Sequence, residues 1–297
     1  MICAPSYSEN GGGTIWLHGL ADALVALGED AFVIPMEPLV RQSIKSQVKN
    51  LLKARNPFVQ KHFCMMPRTR ASLATRRDID DDTIVVYPEI VPGNPLGAKN
   101  VVRWLLYKPG LACPFIPYSG EMYFAAGNFS DDPALTGGAP RLTYWKVHPA
   151  YRNKGYTDRS GSCYMLRKQR DKPIVHNLED SVCLDGKSHT EIAEIFNRSE
   201  VFYCYDEMTM YAQFAPLCGC PTVVVSGFFS SHDEYVKCRP LARFGVSYGF
   251  DHIDHAKQTM HLVLDALNEK EDESKDTILE FIALTQKKFR CGGVLKW

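Results

Sequence analysis

The sequence lacks an excess of charge of either sign and lacks the short motifs of three large enzyme classes. Its 297 residues contain 34 Lys and Arg against 34 Asp and Glu, so the formal net charge is zero. A protein dedicated to nucleic acid usually carries a basic excess, and we expect no nucleic-acid partner. No G-x-x-x-x-G-K loop, G-x-S-x-G elbow or G-x-G-x-x-G fingerprint occurs. These absences argue against P-loop NTPases, serine hydrolases and NAD-binding enzymes.

Export signals, membrane spans and metal clusters are also missing from the pattern. Residues 1–5 carry no basic segment, and the uncharged stretch 208–231 is broken by prolines and glycines. The ten cysteines follow no regular spacing, and the pair Cys218 and Cys220 has no second pair or nearby His to complete a zinc site. We therefore predict a cytoplasmic protein with reduced thiols, no transmembrane segment and no bound metal.

The chain is long enough for two domains, and its first 35 residues predict a βαβ unit. A strand over 1–4 is followed by a glycine loop over 10–13, a helix over 14–27 and a second strand over 31–35. We then predict a helix over 41–54, a buried strand over 83–87, a helix over 101–107 and a strand over 121–126. Continuous apolar strands of this kind are typical of a parallel sheet that is covered on both faces.

A second α/β series follows a junction near 145–155. Strands are predicted over 162–166, 199–205, 221–225 and 245–249. Helices are predicted over 189–196, from Asp206 or Glu207 to Cys218, and twice within 254–289. The sequence therefore predicts two successive α/β domains.

Glycines stand between the first strand and the first helix. Gly12 and Gly13 allow a ligand to approach the backbone closely, and the start of a helix favours anions. The loop is a candidate contact for a phosphate, a sugar or an acceptor. A plain tight turn explains the same residues.

Two cations, Arg167 and Lys168, end the first strand of the second series. Ligands of open α/β sheets bind at the carboxyl ends of strands, and an adjacent Arg and Lys suit a diphosphate. A solvated basic pair is the alternative, because Arg170 follows closely.

A polar segment, residues 205–211, lies between a predicted strand and a predicted helix. Its acidic pair is expected to point toward the ligand, and its backbone amides are expected to be the free donors of the helix start. The candidate donor-pocket residues are Tyr205, Asp206, Glu207, Thr209, Met210 and Tyr211.

The run 205–225 resembles the nucleotide-sugar-binding segment of GT-B glycosyltransferases, which usually reads E-x-F-G, E-A and G-x-P-V. Asp206 falls where the first Glu is usual, and Phe214 stands where the second Glu typically touches the ribose. The stretches 86–96 and 101–106 resemble glycosyltransferases of bacterial surface-polysaccharide and large-virus glycan clusters.

This resemblance implies an α/β protein of GT-B fold, with two Rossmann-like domains whose parallel sheets face an interdomain crevice. Residues 1–148 would bind the acceptor, residues 149–275 would bind the nucleotide sugar, and 276–297 would form a helix that returns to the first domain. The implied reaction moves a hexose, deoxyhexose or pentose from a nucleotide diphosphate sugar, such as a UDP-, GDP- or dTDP-sugar, to a hydroxyl of a glycan acceptor. It needs no metal and no further cofactor.

An inverting transfer would need a base in the first domain. Glu89 is the first candidate, because it follows the buried strand over 83–87 and so emerges at the carboxyl end of the sheet. His18 and Asp131 are the alternative candidates for this base. For each, a purely structural role remains an alternative.

Two other functions remain open. A non-catalytic glycan-binding or scaffold protein with a degenerate GT-B fold would explain Phe214 in place of the ribose-binding Glu. A sugar-nucleotide epimerase is the other rival, although the missing dinucleotide fingerprint argues against it. The pattern does not define the oligomeric state.

Overall fold

The protein divides into two compact units. The computed structural model describes residues 1–36, 63–111, 113–167 and 171–289. The first unit comprises Met1–Trp145 and the chain from Asp272 onward, and the second comprises Lys146–Glu271. The sequence predicted boundaries at 148 and 275, and the binding roles given to the two domains stay predictions. The helix expected over 41–54 lies outside the described residues.

The first unit contains a six-stranded parallel sheet. Its strands are β1 (Ile2–Ala4), β2 (Phe32–Pro35), β3 (Ser72–Leu73), β4 (Ile84–Pro88), β5 (Asn100–Leu105) and β6 (Met122–Ala125). They are ordered β3-β2-β1-β4-β5-β6, and every pairing is parallel. This is the strand order of the Rossmann fold, and the chain reverses its direction of travel across the sheet between β1 and β4.

Strand β5 corrects the helix that was expected over 101–107. All six residues of Asn100–Leu105 are buried, and they pair with β4 on one side and β6 on the other. A short apolar run cannot be assigned to helix or strand by periodicity alone. Its adjacent valines and tryptophan fit a central strand, because β-branched and aromatic side chains pack well on a pleated surface.

In the described part of the first unit, two helices precede the second sheet, α1 (Gly12–Ala26) and α2 (Pro133–Thr136). Helix α1 begins two residues earlier than predicted, inside the glycine loop. Gly11 is its N-terminal flanking residue and has extended backbone angles. The connection over 5–11 therefore links the carboxyl end of β1 to the start of α1.

The second unit contains a five-stranded parallel sheet. Its strands are β7 (Ser162–Met165), β8 (Ser181–Cys183), β9 (Val201–Cys204), β10 (Thr222–Val224) and β11 (Val246–Tyr248). They are ordered β11-β10-β9-β7-β8, so the chain reverses its direction of travel between β7 and β9. This is the other common order of doubly wound folds. The predicted α/β class with two Rossmann-like parallel sheets is confirmed.

The remaining helices flank or follow the second sheet. They are α3 (His189–Arg198), α4 (Tyr211–Leu217), α5 (His232–Cys238), α6 (Ile253–Thr259) and α7 (Val263–Phe289). Helix α4 corrects the expected helix from Asp206 or Glu207, because it begins only at Tyr211. None of the described helices is both long and apolar enough to cross a bilayer.

Side chains of the first sheet alternate between two cores. Ile2, Ala4 and Val86 pack with Leu17 of α1 and Phe281 of α7 on one face. Their chain neighbours belong to the cluster on the opposite face, which contains Cys3, Val85, Tyr87, Val91 and Val101. Both faces are thus covered, as continuous apolar strands require. Polar side chains of the central strands can meet ligands only at the strand ends.

Candidate functional site

The reversal point of the second sheet places Arg167 beside Asp206. Strand β7 ends two residues before Arg167, and β9 ends two residues before Asp206. The Arg167 Nε lies 3.7 Å from the Asp206 carboxylate. Crevices at such reversal points are where open α/β sheets bind ligands. The structure therefore brings together two of the predicted donor-pocket residues at the expected edge.

The backbone of Arg167 is held in an unusual conformation. Its φ of +49° lies in the left-handed region, which residues other than glycine rarely adopt. The N–H groups of Leu166 and Arg167 both donate to the Asp185 carboxylate, at 3.1 Å. Strained residues of this kind cluster at functional sites, where neighbouring contacts maintain them. Asp185, which the sequence analysis did not single out, thus fixes where the arginine points.

The Arg167 guanidinium has three neighbours in the segment before and at the start of α4. Besides Asp206, its Nη1 donates to the Thr209 hydroxyl at 3.3 Å, and its Cζ lies 5.4 Å from the Tyr211 ring centre. The Arg167 side chain is still 29% exposed, whereas that of Asp206 is 9% exposed. Part of the Arg167 side chain is therefore open to solvent. Lys168 lies outside the described residues.

The backbone amides that were expected to be free donors lie in the turn before α4 and at its first residue. The Thr209 N–H donates to the Asp206 carbonyl at 3.2 Å, and the Tyr211 N–H approaches the Thr209 hydroxyl at 3.5 Å. The Asp206 carboxylate accepts the Met208 N–H at 3.2 Å, an Asx-turn that delays the start of the helix. Met210 flanks α4 at its N-terminus. The donor role of these amides stays a prediction.

Glu207 lies in a polar network, the Glu207–Lys172 network, that joins strand ends of the second sheet. Its carboxylate accepts from Lys172 Nζ at 2.5 Å, from the Phe228 N–H at 3.0 Å and from the Tyr248 hydroxyl at 3.3 Å. Lys172 also donates to the carbonyls that follow β9 and β10. Glu207 is only 5% exposed, and its contacts hold the loop after β10 in place.

Gly227 shows how closely that loop approaches the network. A Cβ atom at this position would lie 2.8 Å from a Glu207 carboxylate oxygen and 2.8 Å from the Lys172 side chain. Any larger residue would have to displace one of them. Lys172 is a cation that the sequence analysis missed, because nothing distinguishes it locally from the other charges around it.

Tyr205 anchors a second loop. Its hydroxyl accepts the Val175 N–H at 3.0 Å and lies 2.7 Å from Nδ1 of His176. The ring of His176 stacks on Tyr203 with a centroid distance of 4.4 Å. The Tyr205 side chain is fully buried, and its hydroxyl holds Val175 and His176 of the loop after β7 in place.

Phe214 packs into the interior of the second unit. It is 8% exposed and stacks on Tyr151, with ring centroids 4.5 Å apart and planes at 13°. Tyr151 in turn lies 2.5 Å from Nδ1 of His189. The position where the GT-B pattern usually has a ribose-binding carboxylate is therefore occupied by a packed aromatic ring.

In the first unit, Glu89 lies one residue after β4, at the reversal point between β1 and β4. It is 6% exposed, and its Oε2 accepts the Leu106 N–H at 2.9 Å. Burial raises the pKa of its carboxyl group above the ordinary value of 4.5, and backbone donors partly offset this rise. Gly13 lies nearby, since a Cβ atom there would be 3.8 Å from the Leu106 side chain. Gly12 is the first residue of α1. The glycine loop and Glu89 thus share one edge of the sheet.

His18 and Asp131 are engaged elsewhere. Nδ1 of His18 accepts the Met66 N–H at 3.4 Å, which leaves Nε2 to donate to the Pro5 carbonyl at 2.9 Å. This ring is fully buried, and burial lowers its pKa. Asp131 accepts from the Thr136 hydroxyl at 2.7 Å beside α2. Among the described residues no hydrogen bond or ring contact joins either residue to Glu89.

Metal ligands do not converge in the part of the chain that the structure describes. No group of three or more His, Cys, Asp or Glu side chains there could hold a metal ion. His232 and His252 stack at 4.2 Å, and His255 lies 6.5 Å from His232. The rings of His232 and His255 also bond to backbone groups, the Tyr248 N–H and the Arg243 carbonyl respectively.

Comparisons with known proteins give similarity in structure alone. No protein-family model matches the sequence, and no curated protein matches it. The chain is similar to the glycotransferase of kitacinnamycin, with 10% identity, a TM-score of 0.41 and coverage of 91% of this chain and 94% of that one. It is similar to a Listeria monocytogenes protein assigned as a UDP-N-acetylglucosamine 2-epimerase, with 11% identity, a TM-score of 0.41 and coverage of 98% of both chains.

A third similar structure is the spinosyn forosaminyltransferase SpnP. It shows 13% identity and a TM-score of 0.33, and the match covers 92% of this chain and 90% of that one. Scores this low carry no weight for the chemistry, which rests on the residues of this chain.

Proposed function

We propose that this protein is a glycosyltransferase that moves a sugar from a nucleotide diphosphate sugar to a hydroxyl group of a glycan acceptor. The observation that carries the proposal is the strained, partly exposed Arg167 at the reversal point of the second sheet. A guanidinium binds two phosphate oxygens at once, and its charge would offset the charge that develops on the leaving diphosphate. Lys168, next in the sequence, would add a second cation.

The neighbours of Arg167 have supporting roles in this proposal. Asp206 and Tyr211 orient the guanidinium, and the Glu207–Lys172 network holds the loop after β10 in place. The sugar of the donor would lie near this edge, beside the segment 205–211.

Glu89 is the proposed base of the transfer. It would take the proton from the acceptor hydroxyl while the oxygen attacks the anomeric carbon and the nucleotide diphosphate leaves. Its burial favours a carboxylate that accepts a proton more readily than an exposed one. Gly12 and Gly13 leave room at the same edge of the sheet for an acceptor or a phosphate.

A binding experiment tests the proposal first. UDP, GDP and dTDP are titrated, and the thermal unfolding of the protein is followed. A nucleotide at 100 times its Kd should add about 2.7 kcal/mol to the free energy of unfolding. Turnover is then measured with the matching nucleotide sugars and an acceptor glycan, and release of the nucleotide diphosphate is followed.

A non-catalytic scaffold is the second candidate, and the inward packing of Phe214 favours it. This candidate predicts no stabilisation by any of the three nucleotides. Formation of an epimerised sugar nucleotide without any acceptor would instead identify an epimerase and contradict the transferase proposal.

A further inference from the structure

Arg103 is a fully buried arginine in the middle of β5, and all three of its nitrogen groups are bonded. Its Nε and Nη2 donate to the Glu121 carboxylate at 3.0 and 2.8 Å. Its Nη1 donates to the carbonyls of Pro88 and Val91, and Nη2 also donates to the Gly93 carbonyl at 2.6 Å. The guanidinium therefore joins a carboxylate to three backbone carbonyls of one loop.

A buried pair of this kind calls for a physical explanation. The Arg103 side chain is 0% exposed and that of Glu121 is 1% exposed. The desolvation of two such charges often exceeds their attraction, so that an apolar pair of similar volume would be equally stable or more stable. Stability of the sheet is therefore a weak reason for an arginine here. The contacts with residues 88–93 supply another reason.

The loop over 88–93 carries Glu89. One backbone hydrogen bond between described residues lies within the loop, from the Val91 N–H to the Pro88 carbonyl at 3.1 Å, and the Gly93 N–H donates outside it to the Ile116 carbonyl at 2.8 Å. The three carbonyls that accept from Arg103 lie just before and just after Glu89. A rigid guanidinium fork holds such a loop more accurately than a flexible ammonium would.

We propose that Arg103 and Glu121 are positioning residues that hold the loop 88–93 and thereby fix the Glu89 carboxylate at the sheet edge. This inference rests on the proposed function, in which Glu89 is the base. Neither Arg103 nor Glu121 can touch a substrate, because both side chains are buried.

The charge of Arg103 also affects the titration of Glu89. The Arg103 cation lowers the pKa of Glu89 and so opposes the rise caused by burial. The other groups that face Glu89 are the N–H groups of Leu106 and Tyr107 at the end of β5 and the Cys113 thiol, whose own pKa is raised by burial and by the Glu89 charge. Loss of the Arg103 charge should therefore move the titration of Glu89 to higher pH.

The test compares Arg103→Leu/Glu121→Leu with Glu121→Gln. The double variant removes the charges and the loop contacts but fills the space with apolar side chains, so we expect it to fold. Glu121→Gln keeps the cation and an oxygen that accepts from it. The Glu89 carboxyl signal is followed by ¹³C NMR across pH, and Glu89→Gln identifies this signal by its absence.

The double variant should titrate Glu89 at higher pH than the wild type, whereas Glu121→Gln should titrate it at the same pH or lower. The kcat of the double variant should fall about tenfold to 100-fold while the donor KM is kept, because a displaced reacting group is that costly. Raising the pH should restore the kcat of the double variant only in part, since the loop 88–93 is also released from its contacts with Arg103.

An unchanged Glu89 titration in the double variant, or wild-type kcat with a wild-type pH profile, would overturn the positioning role. The proposed function fails in a different way. If the titration moves as expected but Glu89→Gln retains full turnover, the positioning of Glu89 stands and its role as the base does not.

Discussion

Replacement of Arg167 should weaken nucleotide binding at least tenfold without unfolding the second unit. A hydrogen bond between charged groups contributes about 1.5–3 kcal/mol, and each 1.4 kcal/mol changes Kd tenfold. Arg167→Ala should therefore raise the Kd for the preferred nucleotide diphosphate about tenfold to 100-fold. The lower end is the more realistic, because the side chain is 29% exposed and water competes for its contacts.

The positive φ of Arg167 allows binding and backbone strain to be separated. Arg167→Gly and Arg167→Ala remove the same side-chain contacts with Asp206, Thr209 and Tyr211. Only glycine adopts a φ of +49° without a steric cost. The glycine variant should be about 1 kcal/mol more stable than the alanine variant, since a Cβ atom costs that much in this region, while both should lose the same nucleotide affinity.

Isothermal titration gives the affinities, and urea unfolding gives the stabilities. Arg198→Ala is a matched control in the same unit, because Arg198 also has a carboxylate partner, Glu194 at 2.8 Å, and a tyrosine ring, Tyr156 at 5.0 Å. It lies in the last turn of α3 and should leave nucleotide affinity unchanged. If the Arg167 variants bind nucleotide within twofold of the wild type, Arg167 does not hold the diphosphate.

Three further outcomes follow from the same contacts. Glu89→Gln should lower kcat by at least about 100-fold with donor affinity kept, as steady-state kinetics would measure, and retention of a tenth of wild-type turnover would exclude Glu89 as the base. The pKa of Glu89 is raised in the folded protein, so the stabilisation by its protonated carboxyl group is complete below the ordinary pKa of 4.5 and is lost as pH rises through the raised pKa. Glu89→Gln should remove this loss. The variant should show an equal or higher Tm at pH 8 and a smaller change in Tm between pH 5 and pH 8 than the wild type. Gly227→Ala should destabilise the second unit by about 1–3 kcal/mol through overpacking, with urea unfolding as the measure, and an unchanged midpoint would contradict the close approach to Glu207 and Lys172.

The sequence predicted the two sheets because their central strands are continuous apolar runs. Strands β1, β2 and β4 were found to within one residue at each end. Strands β3 and β8 were missed, since they have two and three residues and include exposed positions. The helix expected in place of β5 was wrong because six apolar residues around an arginine fit either structure until their neighbours are known.

The candidate site was predictable only where a rule links position to chemistry. Arg167, Asp206 and Glu89 were chosen because each follows a predicted buried strand, and carboxyl ends of strands bind ligands. Their roles stay predictions. Asp185 and Lys172 could not be found in this way. Their partners lie 18 and 35 residues away in the chain, and only the folded sheet brings them together.

Exposure of the side chain to solvent separates the candidates. His18 and Glu207 are buried, and both nitrogens of His18 and both carboxylate oxygens of Glu207 are hydrogen-bonded, so a ligand would have to break existing contacts to use them. Arg167 differs in its access to solvent, because its side chain is 29% exposed although it contacts Asp206 and Thr209 and its backbone is constrained. A constrained backbone fixes the direction of the side chain before a ligand arrives, which lowers the entropy lost on binding. Constraint of the backbone combined with access to solvent is therefore the property that favours Arg167 over its better-buried neighbours as the ligand-binding group.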